Sequence, residues 1–322
     1  MIDTERAEHA DHPSAFIAFN QDVRHYVRDG VPGLIAYRLR GRSAVMFGGV
    51  LAAPEHTEPL LDGFLAWCAG RRLRVVVVQI RPDQCAVFAA RGFTVDQLGS
   101  SYSIDLARFS LQGRSLAKIR QNTARAAREQ VVVREVGPAE HAAELDAIDD
   151  EWLRAKGRHA RQLHFMVGER GGRGEPHRRL FGAWQDARLV GYITYSPAWG
   201  VRPGWLYDLT RRRPDAPVGT IELINLTALR VFAGEGARWL HLGLTPFAGL
   251  DARHAVPDAR NALVEKIVRL IAEHGTFLYS ATSQESFKLK WAPHSIEPEY
   301  LAFQRRPTVA ALWQLFKLTN AI

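Results

Sequence analysis

Apolar and polar positions along the chain follow two periods, and each period marks a kind of element. Residues 33–38 and 43–48 alternate about Arg40-Gly41-Arg42, the pattern of two paired strands and their turn. Residues 56–70 carry Leu60, Leu61, Phe64, Leu65 and Cys68 at helical spacing. Residues 73–80 form a continuous β-branched run, which reads as a buried central strand. A short helix over 83–91 stops at Gly92, and strands follow at 93–95 and 102–106. Residues 15–28 read as a weakly amphipathic helix. After a basic helix over 114–129 the order begins again. It runs as a strand at 131–136, a helix at 139–154, a hairpin of 180–184 with 189–195 and a strand at 205–209. A helix at 221–233, a strand at 239–243, a helix at 258–274 and a short strand at 277–279 complete it. The tail, 307–320, has Val309, Leu312, Trp313, Leu315, Phe316 and Leu318 on one helical face.

The order strand pair, helix, central strand, helix, strand resembles the Gcn5-related N-acyltransferase layout, and 89–93 (Ala-Ala-Arg-Gly-Phe) resembles a helix-to-strand turn near the end of such domains. Because the order appears twice, the fold class expected is α/β (α+β). It consists of two tandem Gcn5-related N-acyltransferase-like units with mixed central sheets flanked by helices. The expected division is 1–112 for the first unit, 113–130 for a basic linking helix, 131–305 for the second unit with the main catalytic motifs, and 306–322 for a C-terminal amphipathic helix. No clear sequence repeat links the units, so this expectation rests on pattern.

Composition narrows the function classes. The chain has 322 residues, 47% hydrophobic and 24% charged, enough for a large core without covalent staples. Its two cysteines, Cys68 and Cys85, match no metal spacing and read as reduced core thiols of a cytoplasmic protein. The acidic, polar start is unlike a signal peptide, and no run of about 18 apolar residues predicts a transmembrane segment. The net charge of +8 points toward anionic partners such as nucleic acid, acidic headgroups or phosphorylated ligands.

The most informative stretch is 204–223. It reads as an apolar strand ending in Asp208, then Arg211, Arg212 and Arg213, then a proline-rich loop into a helix. A carboxylate beside concentrated positive charge suits proton movement near phosphates. A structural ion pair of Asp208 with Arg211 or Arg212 is the plainer alternative. Arg114, Lys118 and Arg120 on the basic helix suit phosphate contact, or simply a solvated face. His164, His241 and His254 are tempting bases, with His241 the pattern of a satisfied core histidine. An acetyl-CoA enzyme needs a glycine-rich turn whose N–H groups hold the pyrophosphate. The nearest match, 134–139, contains Pro138, which has no N–H to give. No acetyl-CoA is therefore expected, and no other cofactor or metal.

Several separated segments carry a family resemblance. They are Lys118-Ile119-Arg120-Gln121-Asn122; Glu151-Trp152-Leu153; Tyr207-Asp208-Leu209-Thr210-Arg211-Arg212; 242–250 (Leu-Gly-Leu-Thr-Pro-Phe-Ala-Gly-Leu); 286–293 (Ser-Phe-Lys-Leu-Lys-Trp-Ala-Pro); and 297–302 (Glu-Pro-Glu-Tyr-Leu-Ala). In this order they resemble the catalytic domain of the phosphatidylglycerol lysyltransferases, the multiple peptide resistance factor family, over residues 114–303. Residues 30–110 fit its first unit more loosely. The resemblance implies aminoacyl-tRNA as donor, with no cofactor. The implied acceptor is a hydroxyl of a phospholipid such as phosphatidylglycerol. The alternatives are a small-molecule amine, hydroxylamine or hydroxyl in natural-product (antibiotic) biosynthesis, and a non-catalytic tRNA- or anion-binding protein. Peripheral contact with the inner membrane face fits the lipid acceptor.

An aminoacyl ester is already activated, so the enzyme has to position two partners, relieve the acceptor of a proton and stabilise an oxyanion. By the resemblance Asp208 orients the acceptor or the α-amino group, or assists proton transfer. Arg211 holds the terminal phosphates or the oxyanion, and Lys288 or Lys290 supplies a second cation. Arg114, Lys118, Arg120, Asn122, Arg212, Gln162, Tyr207 and Thr245 are the substrate-binding candidates. One departure matters. Where relatives often carry Glu-x-Gly-Phe-Ser-x-Gly, this chain has Gln162-Leu163-His164-Phe165-Met166-Val167-Gly168. Loss of the acid predicts a neutral aminoacyl side chain in preference to lysine. Parallel transfer assays with lysyl-, alanyl- and seryl-tRNA check this, and a faster lysyl reaction would sink it.

Overall fold

The computed structural model describes residues 10–156, 167–274 and 281–304. The expected strand at 277–279 and the tail helix lie outside those residues, as do Gln162 and His164. The chain opens with a 3-10 turn, Ala15–Phe19, and continues β1 (Arg24–Arg28), β2 (Val31–Arg40), β3 (Ser43–Leu51), α1 (Pro54–Gly70), β4 (Arg74–Ile80), α2 (Pro82–Ala89) and β5 (Phe93–Asp105). Then come α3 (Ala117–Arg128), β6 (Val132–Val136), α4 (Ala142–Lys156), β7 (Arg179–Gln185), β8 (Arg188–Ala198), β9 (Gly204–Arg212) and α5 (Thr220–Gly234). The order closes with β10 (Trp239–Pro246), α6 (Ala262–His274), α7 (Ala281–Leu289) and β11 (Ser295–Gln304).

Three expectations change. The helix expected over 15–28 is a buried 3-10 turn followed by a strand. All five residues of the turn are buried, whereas Arg24–Arg28 pairs antiparallel with β2 and leaves its charged residues outward. The strands at 93–95 and 102–106 are one strand of 13 residues. The polar stretch between them sits inside the sheet because its serines have partners; Ser101 Oγ donates to Glu299 and Ser103 Oγ bonds to His241 Nδ1. The strand read as ending at Asp208 runs on to Arg212.

The eleven strands among the described residues form one sheet in the order β1-β2-β3-β4-β11-β5-β10-β9-β8-β7-β6. The expected two central sheets are thus joined edge to edge, and the join is crossed. β11 follows the second set of elements, yet it pairs with β4 on one side and β5 on the other. The antiparallel β5–β11 pair is the centre of an approximate two-fold. Moving outward, β4 corresponds to β10, β3 to β9, β2 to β8 and β1 to β7. On both sides the first step is antiparallel, the second parallel and the next two antiparallel. α1 and α5 are then the matching crossovers of the two parallel pairs, as right-handed β-α-β connections require a helix on the sheet.

Buried side chains alternate between the two faces of the sheet. Leu60, Leu61 and Phe64 of α1 pack with Val75, Val77 and Ala302. Ile119 of α3, Ile224 and Phe232 of α5 and Trp291 pack with Tyr195 and Leu240. The 3-10 turn packs Phe16, Ile17 and Phe19 against Phe47, Val78 and Leu301, and against Val264 and Val268 of α6. α4 covers Tyr192 and Leu209 with Leu145 and Ile148.

Candidate active site

The parallel pair β9–β10 is short. It joins Trp239 with Gly204, Leu240 with Trp205 and His241 with Leu206, and beyond that point the two strands part. Asp208 lies just past the last pair. Across β8, Thr194 faces Leu209 and Tyr195 faces Tyr207, so Asp208 is the extra residue of a β-bulge. Bulges re-aim a side chain without ending the strand, and they collect beside functional sites for that reason.

The bulge turns the Asp208 carboxylate into the protein. Its side chain is 1% exposed and its Oδ2 accepts from Arg178 Nε at 3.0 Å; the Arg178 side chain is 3% exposed. Arg178 is held by its other groups. Nη2 donates to Asn20 Oδ1, and the guanidinium lies 4.9 Å from the centre of the Phe16 ring. Asn20 in turn donates from Nδ2 to the Val167 carbonyl at 2.9 Å. The residue after it, Gly168, has its backbone over the carboxylate, where an added Cβ would sit 2.1 Å from Asp208 Oδ1. Burial pushes the Asp208 carboxyl above its usual range, against the pull of Arg178. Among the described residues Asp208 Oδ1, Arg178 Nη1 and Thr194 Oγ1 are buried without a hydrogen-bond partner. Buried polar groups are nearly always paired, so these free atoms are candidates for ligand contact; Asp208 Oδ1 lies under Gly168 and Arg178 Nη1 under Gly174.

On the other side of the opening stands Lys288, near the end of α7. Its Nζ donates to the carbonyls of Gly243 at 2.9 Å and Leu244 at 2.8 Å. Gly243 and Leu244 lie on β10 just past the last β9–β10 pair, as Asp208 does on β9. The ammonium is thus held on β10, and the carboxylate on β9, beyond the point where the two strands part. Lys288 is 7% exposed, and burial lowers its pKa to about 7. Thr245, also on β10, is fully buried with Oγ1 unpartnered among the described residues.

The remaining candidates divide between these surroundings and other tasks. Asp208 does not pair with Arg211 or Arg212, because the bulge points it to Arg178, 30 residues earlier. Arg211 is buried over the Trp152 ring at 3.9 Å, with Nε 3.7 Å from Asp149 Oδ1. Arg212 is exposed at the strand end, and Arg213 is tied to Glu151. Lys288 and Lys290 sit on a helix and the turn after it, so they do not share a strand face. Lys290 instead reaches Glu222 Oε1 at 3.3 Å, where Asn122 Nδ2 also donates at 2.8 Å. Arg120 is spent on the carbonyls of Leu111 and Gly113, while Arg114 and Lys118 are exposed. Tyr207 lies beside Phe287, and burial raises its phenol. His241 is a core histidine, held by Ser103 and the Arg202 carbonyl and lowered by burial to about 4. Sequence reasoning missed Arg178 and Asn20. Neither lies in a motif, and only the fold brings 20, 178 and 208 together.

With this geometry in view, the comparison with known proteins is specific. Residues 4–303 match the family described as phosphatidylglycerol lysyltransferase, C-terminal. This chain belongs to that family. It is 24% identical over 310 residues to the phosphatidylglycerol lysyltransferase of Bacillus subtilis, a match over 95% of this chain and 35% of that protein. It is 26% identical over 220 residues to the lysylphosphatidylglycerol biosynthesis bifunctional protein LysX of Rhodococcus jostii, covering 67% of this chain and 19% of that protein. The chain thus spans about a third of the one and a fifth of the other.

Solved structures of family members share the fold. The C-terminal domain of an Agrobacterium fabrum protein assigned as a lysylphosphatidylglycerol synthetase superposes with a TM-score of 0.79 at 22% identity, covering 99% of this chain and 96% of that one. L-PGS from Bacillus licheniformis gives 0.76 at 21% identity, covering 98% and 94%. The mixed sheet flanked by helices that the order of elements predicts is the fold this chain shares with them. No helix among the described residues is long and apolar enough to cross a membrane.

Proposed function

We propose that this chain moves an aminoacyl group from the 3′ end of a tRNA to a hydroxyl of a phospholipid such as phosphatidylglycerol. The observation that carries the proposal is the buried Asp208–Arg178 pair with one free acceptor and one free donor, at the point where β9 parts from β10, whose carbonyls hold Lys288. An aminoacyl ester presents an α-ammonium two bonds from its carbonyl. Asp208 Oδ1 accepts from the ammonium, and Arg178 Nη1 donates to the carbonyl oxygen as it becomes an oxyanion. Entry to Oδ1 takes the Val167–Gly168 backbone aside.

Lys288 supplies the base. In its neutral form the amine has two N–H groups, and the carbonyls of Gly243 and Leu244 take both, leaving the lone pair for the acceptor hydroxyl. A pKa of about 7 gives a working fraction of that form at neutral pH. The acceptor oxygen bonds to the carbonyl carbon, the bond to the ribose oxygen breaks, and the proton taken by Lys288 passes to that oxygen. No redox step or second nucleophile is required.

The reading needs no acetyl-CoA, and two features of the crossover helices are consistent with that. A pyrophosphate would need open N–H groups at the start of a crossover helix. At α5, Gly219 packs against the Asn122 carbonyl so closely that a Cβ would meet it at 2.0 Å, and Glu222 puts a carboxylate in the first turn. At α1 the first turn holds Pro54, which has no N–H.

The deciding experiment incubates the protein with tRNA charged with labelled amino acid and phosphatidylglycerol vesicles. Label moves to the lipid fraction, and ribonuclease abolishes the transfer. Label that stays on tRNA, or moves only to a soluble amine, overturns the lipid acceptor.

A further inference from the structure

A cluster of exposed arginines without carboxylate partners among the described residues lies away from the site, at one end of the first unit. Arg40 and Arg42 flank the β2–β3 turn, Arg71 and Arg72 follow α1, and Arg74 begins β4. These segments touch. Arg74 N donates to the Arg42 carbonyl at 2.8 Å, and Ser43 pairs with Arg74 across the sheet. Arg24 and Arg71 both lie near enough to Tyr37 to act on its phenol, which adds β1 to the group. All six arginines are exposed, and none has a carboxylate partner among the described residues.

Strand direction places this cluster relative to the opening. β3 and β4 run parallel, three antiparallel steps lead through β11 and β5 to β10, and β9 runs parallel to β10. β9 therefore runs opposite to β4. The end at which β9 and β10 part is the end at which β3 and β4 begin. Exposed Arg212 marks it on β9 and Arg74 marks it on β4, four strand spacings away, roughly 20 Å at ~4.8 Å per strand. Sheet twist bends this row into a curved band. A ligand that touches both ends of the band is an extended polyanion.

We infer that the arginine cluster Arg24, Arg40, Arg42, Arg71, Arg72 and Arg74 docks the phosphate backbone of an RNA stem whose 3′ end enters the β9–β10 opening. The inference rests on the aminoacyl-tRNA reading and adds where the body of the tRNA sits. Phosphate recognition by arginine needs charge and a fork of donors, not base-specific pockets, and the cluster offers no such pocket. An anionic membrane is the weaker fit. Interfacial binding inserts apolar side chains, whereas among the described residues those beside these arginines are Leu39, 37% exposed, and Trp67, which is partly buried and stacked under Arg71; the exposed leucines Leu263 and Leu270 lie on α6.

The test compares the wild-type chain with the triple variant Arg40→Ala, Arg42→Ala, Arg74→Ala in tRNA binding across a salt series. At fixed salt the variant binds at least 10-fold more weakly, and its plot of log K against log salt is shallower by about two to three units. A 3′-aminoacyl adenosine, which has no stem, is used equally by both proteins. Equal tRNA affinity and equal salt slope overturn the docking surface while leaving the transfer reaction intact. A variant that keeps tRNA affinity but loses phosphatidylglycerol vesicles assigns the cluster to the membrane and also overturns it. Failure of the wild-type chain to use either donor is the distinct result that removes the transfer reaction itself. Matching circular dichroism spectra establish that the variant is folded.

Discussion

Replacing Arg178 by glutamine lowers transfer by about 10²- to 10³-fold, the usual cost of losing one donor to a developing oxyanion. It also destabilises the fold by about 3–5 kcal/mol, because Asp208 is left as a buried carboxylate without its counter-ion. The two effects separate by pH. Burial already holds the Asp208 carboxyl above the ordinary value, and removing Arg178 raises it further. A carboxyl whose folded pKa exceeds its unfolded one favours folding in its protonated form. That contribution is complete below the unfolded pKa of ~3.9 and is lost as pH rises through the raised folded value. Denaturation of the variant therefore shows a stability deficit that is small under acid conditions and grows toward neutrality. The double variant Arg178→Gln, Asp208→Asn recovers part of the loss at pH 7 without recovering activity. A deficit independent of pH would mean that Asp208 is not charged beside Arg178.

Lys288→Met is the second large effect. The transfer rate drops by about 10²- to 10⁴-fold, as expected for loss of a general base. In the wild-type protein the rate climbs with pH through an apparent pKa near 7. The variant lacks that limb, and its persistence would assign the base to another group. Stability carries a matching signature. The folded pKa is depressed, so on lowering the pH from about 10.5 the unfolded chain takes up the proton first. Wild-type stability accordingly falls between about pH 10 and 7 and levels off below, while the methionine variant shows no such slope. Lys288→Arg does not restore activity, since a guanidinium stays protonated throughout this range.

The strands and helices that alternate at the two periods were legible in the sequence, as was their repetition as two units. What escaped was whatever depends on long-range pairing. The stretch Arg24–Arg28 is strand only because β2 lies beside it. Nothing local marks β11 as the partner of β4, more than 200 residues earlier. Asp208 stood out as an acid near arginines, but the bulge that aims it comes from its register with β8 and changes the ion-pair partner from Arg211 or Arg212 to Arg178. Lys288 and Lys290, two positions apart, looked interchangeable. A helix end sends one to the β10 carbonyls and the other to Glu222.

The crossed strand has a consequence for how this chain comes into being. Until β11 emerges, β4 and β5 have no strand between them, and each presents a long row of unsatisfied amides and carbonyls. The N-terminal half therefore lacks the native partner of β4, and one of the native partners of β5, until residues 295–304 are made. Joining of the two halves is a single late event, made by residues 295–304. A chain cut after α3 should accumulate as an open, association-prone sheet. A peptide of the β11 sequence supplied in trans should be taken up by it, filling the place between β4 and β5.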